Sequence, residues 1–543
     1  MACLAAVALR VPTFRYPLVS DDEAIYDAMA EVVARGGTMY ADTVDHKPPG
    51  LVYTYAAVRS LVLHLGGSFA ATMASVHVVG VLFVVLTCVA LDGVARETLE
   101  PRLRPLPPLL YAFASAASVP PDSLAVNGEL LMNLPTAAAV LALLVGARTP
   151  AAVPRALWFA GAGALAGVAA LYKYQAGFVA LAFPFVLASP PATGAATRLA
   201  ALVPRALVLA LASTVGLAAP FALAALYFTS HGALGDALRW GIAFNTHYLA
   251  EGPDLAIAAS RLGMQLLGVV LPSAVVFGGG LAGLVLSMRR SAASAHLSGV
   301  TRGRGVLLVW ALVSLYAVTL GRRFFGHYFL QPELPLSLLA AGPTAHLLGR
   351  VPRVTALALF APALAFFTIA SLPEVFGKLV YAGDPDYFAI GRAVADRTKP
   401  DDSVWVWGNV PQIYFTAERV PGVRFTFCNY LTGLSPGSRS ELDPTFDSRK
   451  LAVSGGWDMV VHDLDAHRPA MIVDTAAGGM KSYGKFPVQS FPVLAAYLAD
   501  HYRPDGVVGG AVLYQRRDGD GPEGDGGDGG PLRPVRDVVR ASP

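Results

Sequence analysis

Charge is scarce in this chain: Asp, Glu, Lys and Arg together make up 15% of its 543 residues, whereas a soluble domain carries about 25%. A soluble fold of this length would be short of polar surface. Cysteine is scarcer still, and Cys3, Cys88 and Cys428 lie far apart without metal-ligand spacing. That argues against a structural disulfide or a zinc site. The formal net charge of +3 gives no electrostatic case for a nucleic-acid partner. There is no Walker A run, and no GxGxxG turn follows a strand-like segment, so nothing calls for a bound nucleotide. A divalent metal has room among the loop carboxylates, but no spacing defines a site, and no cofactor is expected.

What the chain has in quantity is apolar sequence, 54% of its residues. Runs long enough to cross, or nearly cross, a bilayer fall at roughly 70–95, 106–119, 130–147, 156–172, 177–189, 205–228, 262–288, 305–321, 327–348 and 354–372. With the start of the chain these make about eleven spans. Only about ten apolar residues precede Arg10, and no basic n-region marks a signal peptide. The first span is therefore expected to be clipped, its true start lying upstream; the alternative is that Arg10 snorkels and Val11 to Phe14 complete it. With a cytoplasmic N-terminus, the cytoplasmic loops collect Arg96, Arg102, Arg104, Arg148, Arg155, Arg198, Arg205, Arg289, Arg290, Arg302, Arg304, Arg350 and Arg353. This is a consistent positive-inside pattern. The opposite loops are acidic, carrying Asp21, Asp22, Glu23, Asp42, Asp45, Asp122, Glu129, Asp236, Glu251 and Asp254.

The expected organisation is a transmembrane domain over 1–373 with an external loop at 12–50, then an extracytoplasmic α/β domain over 374–517. In that domain SVWVWG, DMVVHDLD and AMIVDT read as strands, and DYFAIGRAVADRT and FPVLAAYLADHY as helices. The run from 518 to 543 is Gly- and Asp-rich with nothing to bury, and is expected to be disordered.

The densest polar cluster is the external loop SDDEAIYDAMAEVVARGGTMYADTVDHKPPG. Ser20 can cap a helix starting near Asp21, with Glu23 in the capping-box position and Gly36-Gly37 ending it. On that helix Asp22, Tyr26 and Met29 share a face, as do Glu23, Asp27 and Ala30. An amphipathic surface helix with acids favourably placed for its dipole would look the same. Next comes Lys47, directly before two prolines and an aromatic apolar helix, and so near the membrane surface. It reads either as an anchor to headgroups or as a point charge for an anionic phosphate at the interface. Ionisable residues within spans are costly, about 2.5–3.5 kcal/mol at the centre, so Lys173, Arg323 and Glu333 must be paired, interfacial or in a cavity.

The DE-x-x-Y pattern of Asp22, Glu23 and Tyr26, the Gly-Gly turn, Tyr40, Asp42 and then His46-Lys47-Pro48-Pro49 resemble the first external loop of the GT-C membrane glycosyltransferases. Within that group the loop resembles those of the protein O-mannosyltransferases and the lipid A aminoarabinose transferases. PPDSLAVNGELLMNLP with Asn127 and Glu129, LYKYQAG with Lys173 and Gln175, RWGIAFNTHY with Asn245 and Tyr248, and RRFFGHYFLQPELP with Arg323, His327 and Tyr328 extend the resemblance, as does the segment from Asp386 to Phe425.

The resemblance implies an α-helical polytopic GT-C fold and sugar transfer from a polyprenyl-phosphate donor to a lipid, glycan or protein acceptor. Asp22 would be the catalytic base, with Glu129 assisting. Lys47, with Arg323, His327 and Tyr328, would hold the donor phosphate. Glu23, Tyr26, His46, Asn127, Lys173 and Asn245 would bind substrate. The adjacent pair Asp21-Asp22 leaves a one-residue ambiguity, and the spacing to Tyr26 favours Asp22. The implied location is the cytoplasmic membrane, with active site and C-terminal domain outside. A transporter is the rival, although no internal repeat is visible; so is a non-catalytic envelope assembly protein.

Overall fold

The computed structural model describes residues 1–118, 121–187, 199–289, 291–350 and 386–517, with isolated positions between 361 and 375. Within them, five helices are long and apolar enough to cross a membrane: Phe69–Thr98, Gly128–Arg148, Ala152–Tyr172, Pro204–Ser230 and Arg304–Arg322. A sixth span exists if the pair Leu255–Val270 and Ala274–Met288, bent by 104° at its break, is counted as one. The expectation of about eleven spans is thus met only in part. The segment at 106–119 forms a helix of nine residues, Leu106–Ala114. That at 177–189 is a shorter apolar stretch, Tyr174–Val186. The expected span at 354–372, the boundary at 374 and the tail at 518–543 lie in or beside the residues not described.

Apolar residues face outward on these helices as well as inward. Leu207, Leu211 and Leu223 on the helix Leu199–Ser230 are each about two-thirds exposed. In water this would be an aggregating surface; against hydrocarbon it is the expected one. The helix Leu330–Leu348 is instead buried along most of its length, Pro335 and Glu333 included. Between Ala152–Tyr172 and Leu199–Ser230 the backbones approach closely through small residues. A methyl at Gly163 would fall on the Ser213 carbonyl, and one at Gly216 on that of Ala160. Without a hydrophobic drive between helices in lipid, such close backbone packing is what holds them together.

The start of the chain is a short helix, Ala2–Ala8, followed by a 3-10 turn, Val11–Arg15. Arg10 does not snorkel: it is 2% exposed, and its Nη2 donates to the carbonyl and hydroxyl oxygens of Ser115.

Direction along the bundle sorts the loops. Thr301 N donates to the Thr98 carbonyl, Leu99 bridges to Val300, and Arg148 pairs with Glu97. The Arg-rich segments near 96–104, 148–155 and 289–304 therefore share one end. Residues 20–50, 122–129, 173–175 and 320–328 belong to the other.

On that second end sits the C-terminal domain, a five-stranded mixed sheet of order β2-β1-β3-β5-β4. β1 (Ser403–Trp407) pairs in parallel with β2 (Val420–Pro421) and β3 (Met471–Asp474), while β5 (Ala511–Arg516) runs antiparallel to β3 and β4 (Tyr502–Val508). The strand expected from DMVVHDLD is a helix, Gly456–His467. It buries Val460, Asp463 and Leu464 at three-to-four-residue spacing, and the Val-Val pair that read as a strand is too short to override that period. The β4–β5 hairpin follows from Gly509-Gly510, both at positive φ, the conformation a two-residue turn of this kind requires.

Candidate active site

The helix Asp21–Ala34 begins where Ser20 Oγ accepts from Glu23 N. Gly36, at φ +98°, turns the chain after it. Glu23 does not close the capping box. It is fully buried, its two carboxylate oxygens accepting from Val19 N at 2.6 Å and Val126 N at 2.8 Å, with His77 at 3.3 Å. This ties the start of the helix to the loop before Gly128–Arg148. Glu23 thus lies behind the cavity rather than on its wall. Deeper, Arg59 lies between Asp27 at 3.4 Å and Glu31 at 2.5 Å. The closer contact lacks hydrogen-bond angles, so this pairing is electrostatic.

One turn after Asp22 stands Tyr26, and both meet Lys47. The Lys47 ammonium donates to the Tyr26 hydroxyl at 2.6 Å and to Asp22 Oδ2 at 3.3 Å, and Tyr26 donates to the same carboxylate at 3.1 Å. Burial opposes ionisation of Asp22, but Lys47 and then His327 outweigh it and hold the carboxyl below its ordinary value. Burial likewise works against the Lys47 charge, yet Asp22 and Asp45 carry its pKa upward. Asp22 is therefore an anion, and an acceptor, at neutral pH. Asp21 points elsewhere, to Gln412 Nε2 at 2.6 Å and Lys481 Nζ at 3.1 Å on the C-terminal domain.

A second cluster lies beside the first. Lys173 pairs with Glu129 at 2.7 Å and caps the Tyr328 ring at 4.7 Å. His327 donates through Nδ1 to Asp122 at 2.7 Å, with Nε2 at 3.8 Å from Glu129. Burial disfavours the imidazolium, but Asp122 and Glu129 raise its pKa overall. The sequence singled out His327 and Glu129, but gave Asp122, in the same PPDSLAVNGELLMNLP segment as Glu129, no role beyond that of an acidic loop residue.

Both clusters open into one cavity of about 750 Å³ between the bundle and the C-terminal domain. Asp22, His46, Lys47, Lys173, Gln175, Asn245, Tyr248, Arg323, His327 and Tyr328 line it from below, and Asn409, Phe427, Asn429, Tyr430 and Lys481 from above. Glu129 lines a narrow cleft beside it with Tyr26, Lys47 and Lys173. Asn245 holds the His46 carbonyl at 2.7 Å. Asn127 caps the helix Gly128–Arg148, accepting from Leu130 N, and stands off the cavity wall.

Arg323 reaches the cavity with both terminal nitrogens already engaged, while its buried Nε has no partner among the described residues. Its guanidinium donates to the carbonyls of Pro436 and Tyr248 and to Ser435 Oγ, and lies 3.9 Å over the Tyr248 ring. It fastens the C-terminal domain to the bundle. The loop around it is strained, with Arg322 at φ 54° and Phe324 at 45°. Among the described residues no group of three or more His, Cys, Asp or Glu stands where it could hold a metal ion.

No protein-family model matches the chain, and no curated protein matches it in sequence. Solved structures do match. ArnT from Cupriavidus metallidurans, bound to undecaprenyl phosphate, aligns with a TM-score of 0.59 over 96% of this chain and 98% of that one, at 15% identity. The apo state of the same enzyme gives 0.54 over 94% and 96%, at 14% identity. The archaeal oligosaccharyltransferase AglB from Archaeoglobus fulgidus, in complex with an inhibitory peptide and a dolichol-phosphate, gives 0.52 over 96% and 74%, at 13% identity. At these identities the likeness is one of fold, and it makes this chain, from its apolar helices to its C-terminal α/β domain, a protein of the GT-C membrane fold.

Proposed function

We propose that the chain is a glycosyltransferase that takes a sugar from a polyprenyl-phosphate donor and passes it to a hydroxyl-bearing acceptor at the outer face of the cytoplasmic membrane. The observation that carries this reading is the pairing of an ionised Asp22 with Lys47 at 3.3 Å on the wall of a cavity at the junction of membrane helices and soluble domain. Two neighbours of the same fold support it, since ArnT is bound to undecaprenyl phosphate and AglB to a dolichol-phosphate. The Arg-rich loops gather at the far end of the bundle, as the positive-inside rule requires if the cavity faces outward.

The donor's lipid tail stays in the bilayer while its phosphate meets Lys47, which then exchanges Asp22 for the incoming anion. Lys173 and His327 stand near enough to add positive charge from the second cluster. Asp22 accepts the proton of the acceptor hydroxyl as its oxygen forms the new bond to the sugar's anomeric carbon. The bond from that carbon to the phosphate oxygen breaks, and the polyprenyl phosphate leaves with the electron pair, its charge offset by Lys47. A single displacement of this kind inverts the anomeric configuration. Glu129, ion-paired with Lys173, orients that lysine.

The test of the donor half is binding. Undecaprenyl phosphate should bind the full chain in nanodiscs, and Lys47→Met should weaken it by at least about tenfold, roughly 1.4 kcal/mol. Equal affinity in the two proteins would remove Lys47 from the phosphate site.

A further inference from the structure

His46 sits in a frame the proposed chemistry does not use. Its Nδ1 lies 3.0 Å from Asp45 Oδ1 and 3.1 Å from the hydroxyl of Tyr430, a residue of the C-terminal domain 384 positions away. Its backbone N–H donates to the same hydroxyl at 3.0 Å, and Tyr430 donates onward to Asp45 at 3.2 Å. The carbonyl is held by Asn245, and the ring lies against Tyr248 with centroids 4.1 Å apart. Every part of the residue is fixed except one atom. Nε2 has no hydrogen-bond partner among the described residues and is not enclosed, and the imidazole, 14% exposed, lines the cavity.

The chemistry of the frame fixes the tautomer. Burial opposes ionisation of Asp45, but Lys47 and His46 hold its carboxyl well below the ordinary range, so it is an acceptor only. The proton must then be on Nδ1, leaving the Nε2 lone pair turned to the cavity. Burial lowers the His46 pKa more than Asp45 raises it, which keeps the ring neutral at pH 7. The imidazole ring lies against Tyr248 and, with centroids 6.0 Å apart, Phe244, and Phe427 and Asn429 line the same cavity. Aromatic faces beside a fixed hydrogen-bond acceptor suit the ring face and hydroxyls of a carbohydrate, next to the charge of Lys47 in the same cavity.

We propose that Asp45, His46 and Tyr430 form an orienting triad that presents His46 Nε2 as the hydrogen-bond acceptor for a sugar hydroxyl. His46 is then a substrate-contacting residue, and Asp45 and Tyr430 are positioning residues acting through it. The inference deepens the glycosyltransferase reading and rests on it for the source of the sugar, which is either the donor's own or that of a carbohydrate acceptor.

The experiment reads the imidazole directly. The full chain carrying ¹⁵N-imidazole histidine is placed in nanodiscs, and the His46 signals are identified by their absence in His46→Gln. At pH 7 the Nδ1–H tautomer is expected. One arm adds an undecaprenyl-phosphate sugar. The other adds methyl glycosides to protein already filled with undecaprenyl phosphate. A shift of the Nε2 resonance in the first arm assigns the hydroxyl to the donor, and in the second to the acceptor. Tyr430→Phe, which keeps the ring, should lower the Nδ1–H population and shrink the shift. An Nε2–H tautomer, or an Nε2 signal unmoved in both arms, overturns the proposal. Binding of undecaprenyl phosphate, measured alongside with Lys47→Met, reports on the donor reading independently.

Discussion

Replacing Asp27 by Asn should stabilise the protein at neutral pH. Asp27 is buried on the helix that carries Asp22, and Arg59 serves both it and Glu31. Burial outweighs Arg59, and with Glu31 and Glu23 nearby the Asp27 carboxyl is pushed from its ordinary 3.8 up to about 6. At about 1.4 kcal/mol for each pH unit, this is a cost of about 3 kcal/mol once the group is ionised in both states. The sign follows from proton uptake: between these two values Asp27 binds more protons in the folded chain than in the unfolded one, so its contribution to stability is most favourable below pH ~4 and is lost as pH rises through ~6. Asn is uncharged throughout and leaves Arg59 its Glu31 partner. Thermal unfolding of the detergent-solubilised protein, followed at pH 4 to 8, should show Asp27→Asn gaining stability relative to the wild type as pH rises through ~6. Identical slopes in both proteins would refute the argument, because they would mean that Asp27 is ionised at no cost in the fold.

Three further outcomes follow from the same network of contacts. Glu23→Gln puts an amide N–H2 against one of the two backbone N–H groups the carboxylate now receives, and should cost about 1–3 kcal/mol in thermal unfolding. Lys481→Ala removes an ion pair whose Asp21 partner is half exposed, so its effect on stability should stay below about 1 kcal/mol by the same assay. Arg323→Lys loses the planar fork that reaches Pro436, Ser435 and Tyr248. Hydrogen exchange at residues 433–437 should rise several-fold while exchange in β1 and β3 is unchanged.

Much of this was legible in the sequence because a bilayer imposes strong rules. Long apolar runs and one-sided arginines read directly as helices such as Phe69–Thr98 and Gly128–Arg148, and the order of motifs read as a GT-C fold. The failures came where burial inside the protein replaced burial in lipid. The segment at 106–119 is apolar because it packs in the core, with Leu110 and Tyr111 both buried, and apolarity alone does not distinguish the two solvents. Asp458–Asp465 was misread because two adjacent valines look like strand, whereas its burial follows helical spacing. Within the site, Asp22, Tyr26, Lys47 and His46 were visible because they lie within one loop. Tyr430 and Gln412 were not, since contacts across nearly 400 residues leave no local pattern. Glu23 fitted a capping box in sequence, but tertiary packing took its carboxylate to Val126 instead.

The central claim is that Asp22, held ionised beside Lys47, removes the acceptor's proton during sugar transfer. Its most direct test gives the purified protein radiolabelled polyprenyl-phosphate sugars and membrane acceptors, with Asp22→Asn run beside it. The account predicts transfer by the wild type and a loss of at least about a hundredfold in the variant, with undecaprenyl phosphate still bound. Transfer undiminished by the substitution would contradict it, as would movement of sugar across vesicles with no new glycosidic bond.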